Sequence, residues 1–166
     1  MRWSLPIARS LSMAAALAVG ACSPQAAAPA PTPAATTPAK HPISGLDVIP
    51  LTISQNGKVH DFRVEVARTL EQQEQGLMFR TAMGADEGML FPSDQPAQRS
   101  FWMKNTVIPL DIVFIGPDHR IRNIAADAVP YSLDPINSEG AAIAVLELNG
   151  GRAAQLGFTR GARVTW

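Results

Sequence analysis

Residues 23–44, "SPQAAAPAPTPAATTPAKHPIS", cannot enter a folded core. Proline, alanine and threonine fill almost the whole stretch, and such a composition favours extended, polyproline-like backbone. It reads as a semi-rigid spacer that reaches about 60 Å at roughly 3 Å per residue. His41 falls within it and is expected to be solvated. Everything that packs must therefore come from residues 45–166, one domain of ordinary size.

The residues before the spacer point to export. Arg2 and Arg9 flank a short basic region, and an alanine-rich apolar run follows from Leu11 to Ala21. That run is too short for a membrane-spanning helix, which needs roughly 20 residues, and fits the apolar region of a secretion signal. It ends in "VGAC", Val19–Cys22, with small residues before the only cysteine of the chain. The arrangement matches a bacterial lipobox, in which the cysteine is cleaved on its N-side and lipidated. An ordinary signal peptide with a chance cysteine is the alternative. The expected organisation is a signal peptide over 1–21, lipidated Cys22 with the spacer over 22–44, and a domain over 45–166. Acyl chains on Cys22 would make the membrane a partner, since each buried methylene adds about 0.8 kcal/mol. The expected location is the bacterial cell envelope, facing the periplasm. Ser23 rather than an aspartate favours the outer membrane, by analogy with sorting rules.

With Cys22 committed, the domain has no internal disulfide and must be held by its core. Fourteen cationic side chains balance fourteen acidic ones. No basic stripe is present, which argues against a nucleic-acid partner. No repeat, phosphate-binding glycine loop or zinc-ligand spacing occurs.

The domain reads mainly as strands. Residues 49–53 and 58–67 flank Asn56-Gly57, a hairpin-turn dipeptide. In the second, Phe62, Val64 and Val66 alternate with Asp61, Arg63 and Glu65, as in a half-buried strand. Thr69 and Gln72 form a capping-box pair for a short helix that stops near Gly76. Residues 88–91, 100–103, 110–115, 119–125 and 141–148 are further strand candidates. Asn149 is a candidate cap for a second short helix, ending at Gly157, and "ARVTW" closes the chain as a strand. The pattern predicts a mainly β fold, an antiparallel sandwich or barrel with two short helices.

Four blocks carry a more specific signal: "GLMFR" at 76–80, "GMLF" at 88–91, "FWMKNTVIPLDIVFI" at 101–115 and "VLELNGG" at 145–151. In content and order they resemble the DUF192 family, also called UPF0127. The resemblance implies a compact β-sandwich of jelly-roll type, often in exported or membrane-attached prokaryotic proteins. It implies no activity, because the family is named for lacking an assigned one.

Chemistry must then be sought in the polar residues of these blocks. Pro109 cannot donate to a strand ladder, so 104–108 is predicted to be a loop. Lys104, Asn105 and Thr106 on that loop suit a polar site floored by Trp102, or simply the bonding of their own turn. Asp111 and Glu147 fall among apolar strand neighbours, and a buried carboxylate must be paired, hydrogen-bonded or protonated. Arg80, Lys104 and Arg152 are the cations at hand. Arg80 joining Asp111 or Glu147, or loop amides serving a carboxylate, is the architectural possibility.

A ligand set of Arg80, Trp102, Lys104, Asn105, Thr106, Asp111 and Glu147 is the functional one. The expected role is a non-catalytic binding or interaction module for a small polar or glycan ligand, with no cofactor. An alternative is a carbohydrate-active hydrolase using Asp111 and Glu147 as its two carboxylates. A second alternative is Cu(I) held by thioethers of Met78, Met83, Met89 and Met103, although methionine beside aromatics is ordinary core filler.

Overall fold

The computed structural model describes residues 39–166. The segment expected to be a signal peptide, Cys22 and most of the segment expected to be a spacer lie outside the described residues. In chain order the elements are β1 (Ala39–Lys40), β2 (Asp47–Gln55), β3 (Lys58–Val66), α1 (Leu70–Gln75) and β4 (Glu87–Phe101). They continue with β5 (Leu110–Ile115), β6 (Ile121–Ala128), β7 (Ile136–Asn149), α2 (Arg152–Leu156) and β8 (Arg163–Thr165). The fold is mainly β with two short helices. Among the described residues no helix is long and apolar enough to cross a membrane.

The strands form one sheet in the order β1-β2-β3-β4-β7-β5-β6, with β8 added to β2. All ladders are antiparallel except β3 with β4, which run parallel. The expectation of a wholly antiparallel sheet is corrected there: the chain crosses over through α1 and returns to the same end of the sheet before β4 starts. The sheet does not close into a barrel. A single bridge, Arg120 to Arg163, ties β8 to the residues entering β6.

Local chemistry accounts for the boundaries. Asn56 and Gly57 both adopt left-handed backbone, with φ of 51° and 75°, the geometry that a two-residue hairpin needs. Thr69 caps α1 in a complete capping box with Gln72, and Gly76 ends it. Pro109 ends the 102–109 loop, immediately before β5.

Two strands run longer than their apolar cores suggest. β4 continues to Phe101 through Pro92 and Pro96, tolerated because its register with β7 shifts between Pro92 and Ala97. β7 starts at Ile136 to match it. At the other end, strand pairing reaches back to Ala39 and Lys40, inside the segment read as spacer. There His41 is not simply solvated: its Nδ1 lies 3.5 Å from the Glu65 carboxylate.

The centre of the sheet is buried on both faces. All six residues of β5 are buried. Val113 and Ile115 join Leu51, Phe62, Leu90, Leu146 and Leu148 in the core that α2 and Phe158 cover. Leu110, Ile112 and Phe114 join Met89, Phe91, Met103 and Val145 in the core on the opposite face, under Leu77. The side to which a β5 or β7 residue points therefore decides which site it can serve.

Candidate functional site

Asp111 and Glu147 are both buried, at 0 % and 5 % exposure, and they point to opposite faces. In the β5–β7 register Asp111 lies across from Leu148, while Glu147 lies across from Ile112. Paired residues share a face and successive residues alternate. Asp111 thus joins the face of Leu148 and Val113, and Glu147 joins that of Ile112 and Met89. The two-carboxylate hydrolase expected as an alternative is corrected by this geometry: no glycosidic bond can be flanked by carboxyls separated by the sheet.

Asp111 is architectural. Its Oδ1 accepts from the Asp127 N–H at 2.8 Å and the Gly151 N–H at 2.9 Å, and its Oδ2 accepts from the Ala153 N–H at 2.7 Å. It supplies the N-terminal cap of α2 from a distant strand. Asn149, expected to cap that helix, instead donates to the Met83 and Gly84 carbonyls. α2 has Gly151, in left-handed backbone, at its N-cap and no local side-chain cap.

Arg80 leaves the ligand set for a similar reason. Its guanidinium makes a bidentate pair with Glu65, 2.8 and 3.1 Å, with both residues buried. Ser44 donates a further hydrogen bond to Glu65. Glu65 reads as outward-facing from strand alternation. It is buried because residues 41–46 and the 77–80 turn cover that face at the end of β3. Arg152 is likewise committed, to Asp86.

Glu147 receives no such partner. Among the described residues its carboxyl group makes no hydrogen bond and no ion pair. Its cross-strand neighbours, Met89 and Ile112, are fully buried and apolar. Burial raises its pKa from the usual 4.5 to about 8. The side chain opens onto a cleft of about 480 Å³.

The cleft is built by the β4 end, the 102–106 loop and the turn after α1. Phe91 and Phe101 form one wall, edge to face with ring centroids 5.1 Å apart. Gly76, Leu77 and Met78 also line the cleft. A side chain at position 76 would stand 3.4 Å from the Phe91 ring on backbone with φ of 47°, so glycine suits this turn. Trp102, expected on the floor, is instead half-exposed at the rim, with the Lys104 Nζ 5.1 Å from its ring. Arg99 lies above Phe101, 6.0 Å from guanidinium carbon to ring centre, and donates to Gln73 Oε1 at 3.2 Å.

Thr106 lines the cleft, yet its hydroxyl bonds the Lys104 carbonyl at 3.3 Å, the turn role weighed for it. Asn105 does not line the cleft. Its carbonyl accepts from the Phe79 N–H at 2.8 Å, and its amide reaches the Met78 sulfur at 3.7 Å. The Tyr131 N–H bonds the Thr106 carbonyl. Phe79, Asn105 and Tyr131 all hold left-handed backbone, φ 62°, 54° and 64°. Such conformations cost about 1–2 kcal/mol in a residue with a Cβ and gather where strain has a use. Phe79 and Tyr131 are also exposed.

The methionines proposed for Cu(I) are mainly structural. Met89 and Met103 are fully buried in the apolar core, Met83 packs against it, and Met78 lines the cleft. Arg99, Phe91 and Phe101 were missed as site residues. The two phenylalanines lie in family-like blocks and could have been included. Arg99 sits in a stretch that reads as loop, and only the β4–β7 extension brings it to the mouth.

The fold and the cleft together define a small mainly-β domain in which, among the described residues, one buried acid lines an aromatic cleft without a partner. The chain matches the DUF192 family, described as Uncharacterized ACR, over residues 51–166, and belongs to it. Similar solved structures include the following two. One is a protein of unknown function from Novosphingobium aromaticivorans DSM 12444, 52 % identical, with a TM-score of 0.77, covering 80 % of this chain and 94 % of that one. The other, described as a putative transcription regulator from Sinorhizobium meliloti 1021, is 42 % identical, with a TM-score of 0.68, covering 70 % and 91 %. No curated protein matches the chain. All four blocks behind the family resemblance contribute to the cleft: Gly76 to Met78, Phe91, Phe101 with Trp102, Lys104 and Thr106, and Glu147.

Proposed function

We propose that this chain is a non-catalytic binding module, held at the cell envelope through Cys22, that takes a small polar ligand in the cleft over Glu147. One observation carries the reading. Of the three buried carboxylates described here, Glu65 has Arg80 and Asp111 has three amides, while Glu147 alone faces a cleft without a partner. A buried acid left unsatisfied lowers stability; a ligand that bonds it restores the balance. The cleft volume falls within the range of about 300–1,000 Å³ usual for small-molecule sites. A sugar is one candidate ligand, since the aromatic side chains of Phe101 and Trp102 line the cleft.

The regulator description of the Sinorhizobium meliloti structure raises nucleic acid as a second reading. A cleft lined by Lys58, Arg120, Arg160 and Arg163 is its best support. However, Arg160 pairs with Glu139 at 2.6 Å and Arg120 donates to the Gly161 carbonyl at 2.7 Å. The formal charge of the chain is zero. The binding-module reading is preferred.

The test is a ligand screen on the full chain by thermal shift, using sugars, amino acids and short peptides, with Trp102 fluorescence as a local reporter in a Trp3→Phe/Trp166→Phe background. A hit should be lost in Trp102→Ala or Glu147→Leu. A hit that survives both changes would place binding elsewhere and sink the cleft as the functional site.

A further inference from the structure

We infer that the ligand of this cleft is a small zwitterion, an amino acid or a short peptide, whose ammonium group meets Glu147 and whose carboxylate meets Lys104 and Arg99. The inference rests on the binding-module reading and names its ligand class.

Glu147 is the starting point. It is 5 % exposed, aimed into the cleft, and has no polar partner among the described residues. Its strand neighbours Met89 and Ile112 can offer none. A carboxylate in that setting is complemented by a cationic donor. An ammonium group supplies the opposite charge and three N–H donors. The walls suit the same group, because Phe91, Phe101 and Trp102 line the cleft and aromatic rings attract cations. A sugar hydroxyl could bond Glu147 in its protonated form, but it would leave the charges at the mouth unused.

Those charges narrow the class. Lys104 stands over Trp102 and Arg99 over Phe101. The two cations disfavour a simple metal ion or polyamine and favour a ligand with an anionic end. Glu74 also borders the cleft and is exposed, where water weakens its field. The charged groups facing the ligand are therefore Glu147 below and Glu74, Arg99 and Lys104 at the mouth. One positive and one negative end on a short frame match this order.

Binding of an ammonium group requires the charged form of Glu147. An acid held protonated by burial must release its proton as the ligand enters. With a pKa of about 8, the charged fraction rises about 50-fold between pH 6 and pH 8. Affinity should rise accordingly, and binding at pH 7 should release close to one proton. A neutral sugar would show neither effect.

The experiment is isothermal titration calorimetry of the full chain with a panel of L- and D-amino acids and dipeptides, at pH 6, 7 and 8 in buffers of different ionisation enthalpy. The expected result is a hit that weakens at least tenfold on N-acetylation, weakens as pH falls, and releases a proton. Glu147→Gln should abolish it without unfolding the domain. Lys104→Met should weaken the free acid but not its methyl ester. Failure of every amino acid and dipeptide at millimolar concentration would overturn the inference. So would a hit indifferent to N-acetylation. A monosaccharide bound without proton release and lost in Trp102→Ala would also overturn the zwitterion while leaving the binding-module reading intact.

Discussion

Glu147→Gln should make this protein more stable at neutral pH, and the size of the gain follows from burial. Glutamine keeps the shape of the side chain and removes its charge. In the native state the carboxyl is raised from 4.5 to about 8 by loss of water. Between those values the folded protein holds a proton that the unfolded chain has given up. Stability contributed by the protonated form is complete below about pH 4.5 and declines as pH rises towards 8. At pH 7 the accumulated loss is about 3 kcal/mol, and above pH 8.5 it approaches about 5 kcal/mol. The variant escapes this loss. Urea denaturation of wild type and variant at pH 4.5, 7 and 8.5 should therefore give curves that coincide at the acid end and separate as pH rises. Taking the difference between the two proteins cancels the titration of other acids distant from residue 147. A variant less stable than wild type at pH 7, or a difference that ignores pH, would refute an unpaired, desolvated Glu147. Retaining a carboxyl that lowers stability by this much is understandable if the carboxyl has a use.

Other substitutions should behave differently. Asp111→Ala leaves three amide N–H groups without an acceptor and should cost about 4 kcal/mol or more at pH 7, measured by denaturant unfolding, with α2 the first element to lose hydrogen-exchange protection. Arg80→Met strands Glu65 and should cost about 3–5 kcal/mol, and adding Glu65→Gln should recover much of that in a double-mutant cycle. Phe79→Gly relieves left-handed backbone at an exposed position and should not lower the melting temperature. Cys22→Ser should abolish lipid attachment, read by mass spectrometry and membrane fractionation; wild-type mature protein with an unmodified Cys22 would end the lipoprotein proposal.

The sequence alone was enough for those local features that are written in short-range chemistry, though not for the cap of α2 or the length of β4. Asn56-Gly57 requires left-handed backbone at two positions, and few structures besides a tight hairpin use it. Thr69 with Gln72 caps α1 from three residues away, and Pro109 fixes where β5 can begin. Period-two alternation likewise placed Asp111 and Glu147 among apolar neighbours, and both are buried. What alternation could not give is which face of the sheet each strand turns to which core, since that depends on register with a partner many residues away. Only the β5–β7 pairing puts Asp111 under α2 and Glu147 under the aromatic cleft. The same long-range pairing supplied Arg80 with Glu65, a residue that reads as solvent-facing until the 41–46 segment covers it, and carried Arg99 to the mouth along an extended β4. Burial of a carboxyl was legible in the order of residues; whether a partner waits for it was decided by contacts between elements far apart in the chain.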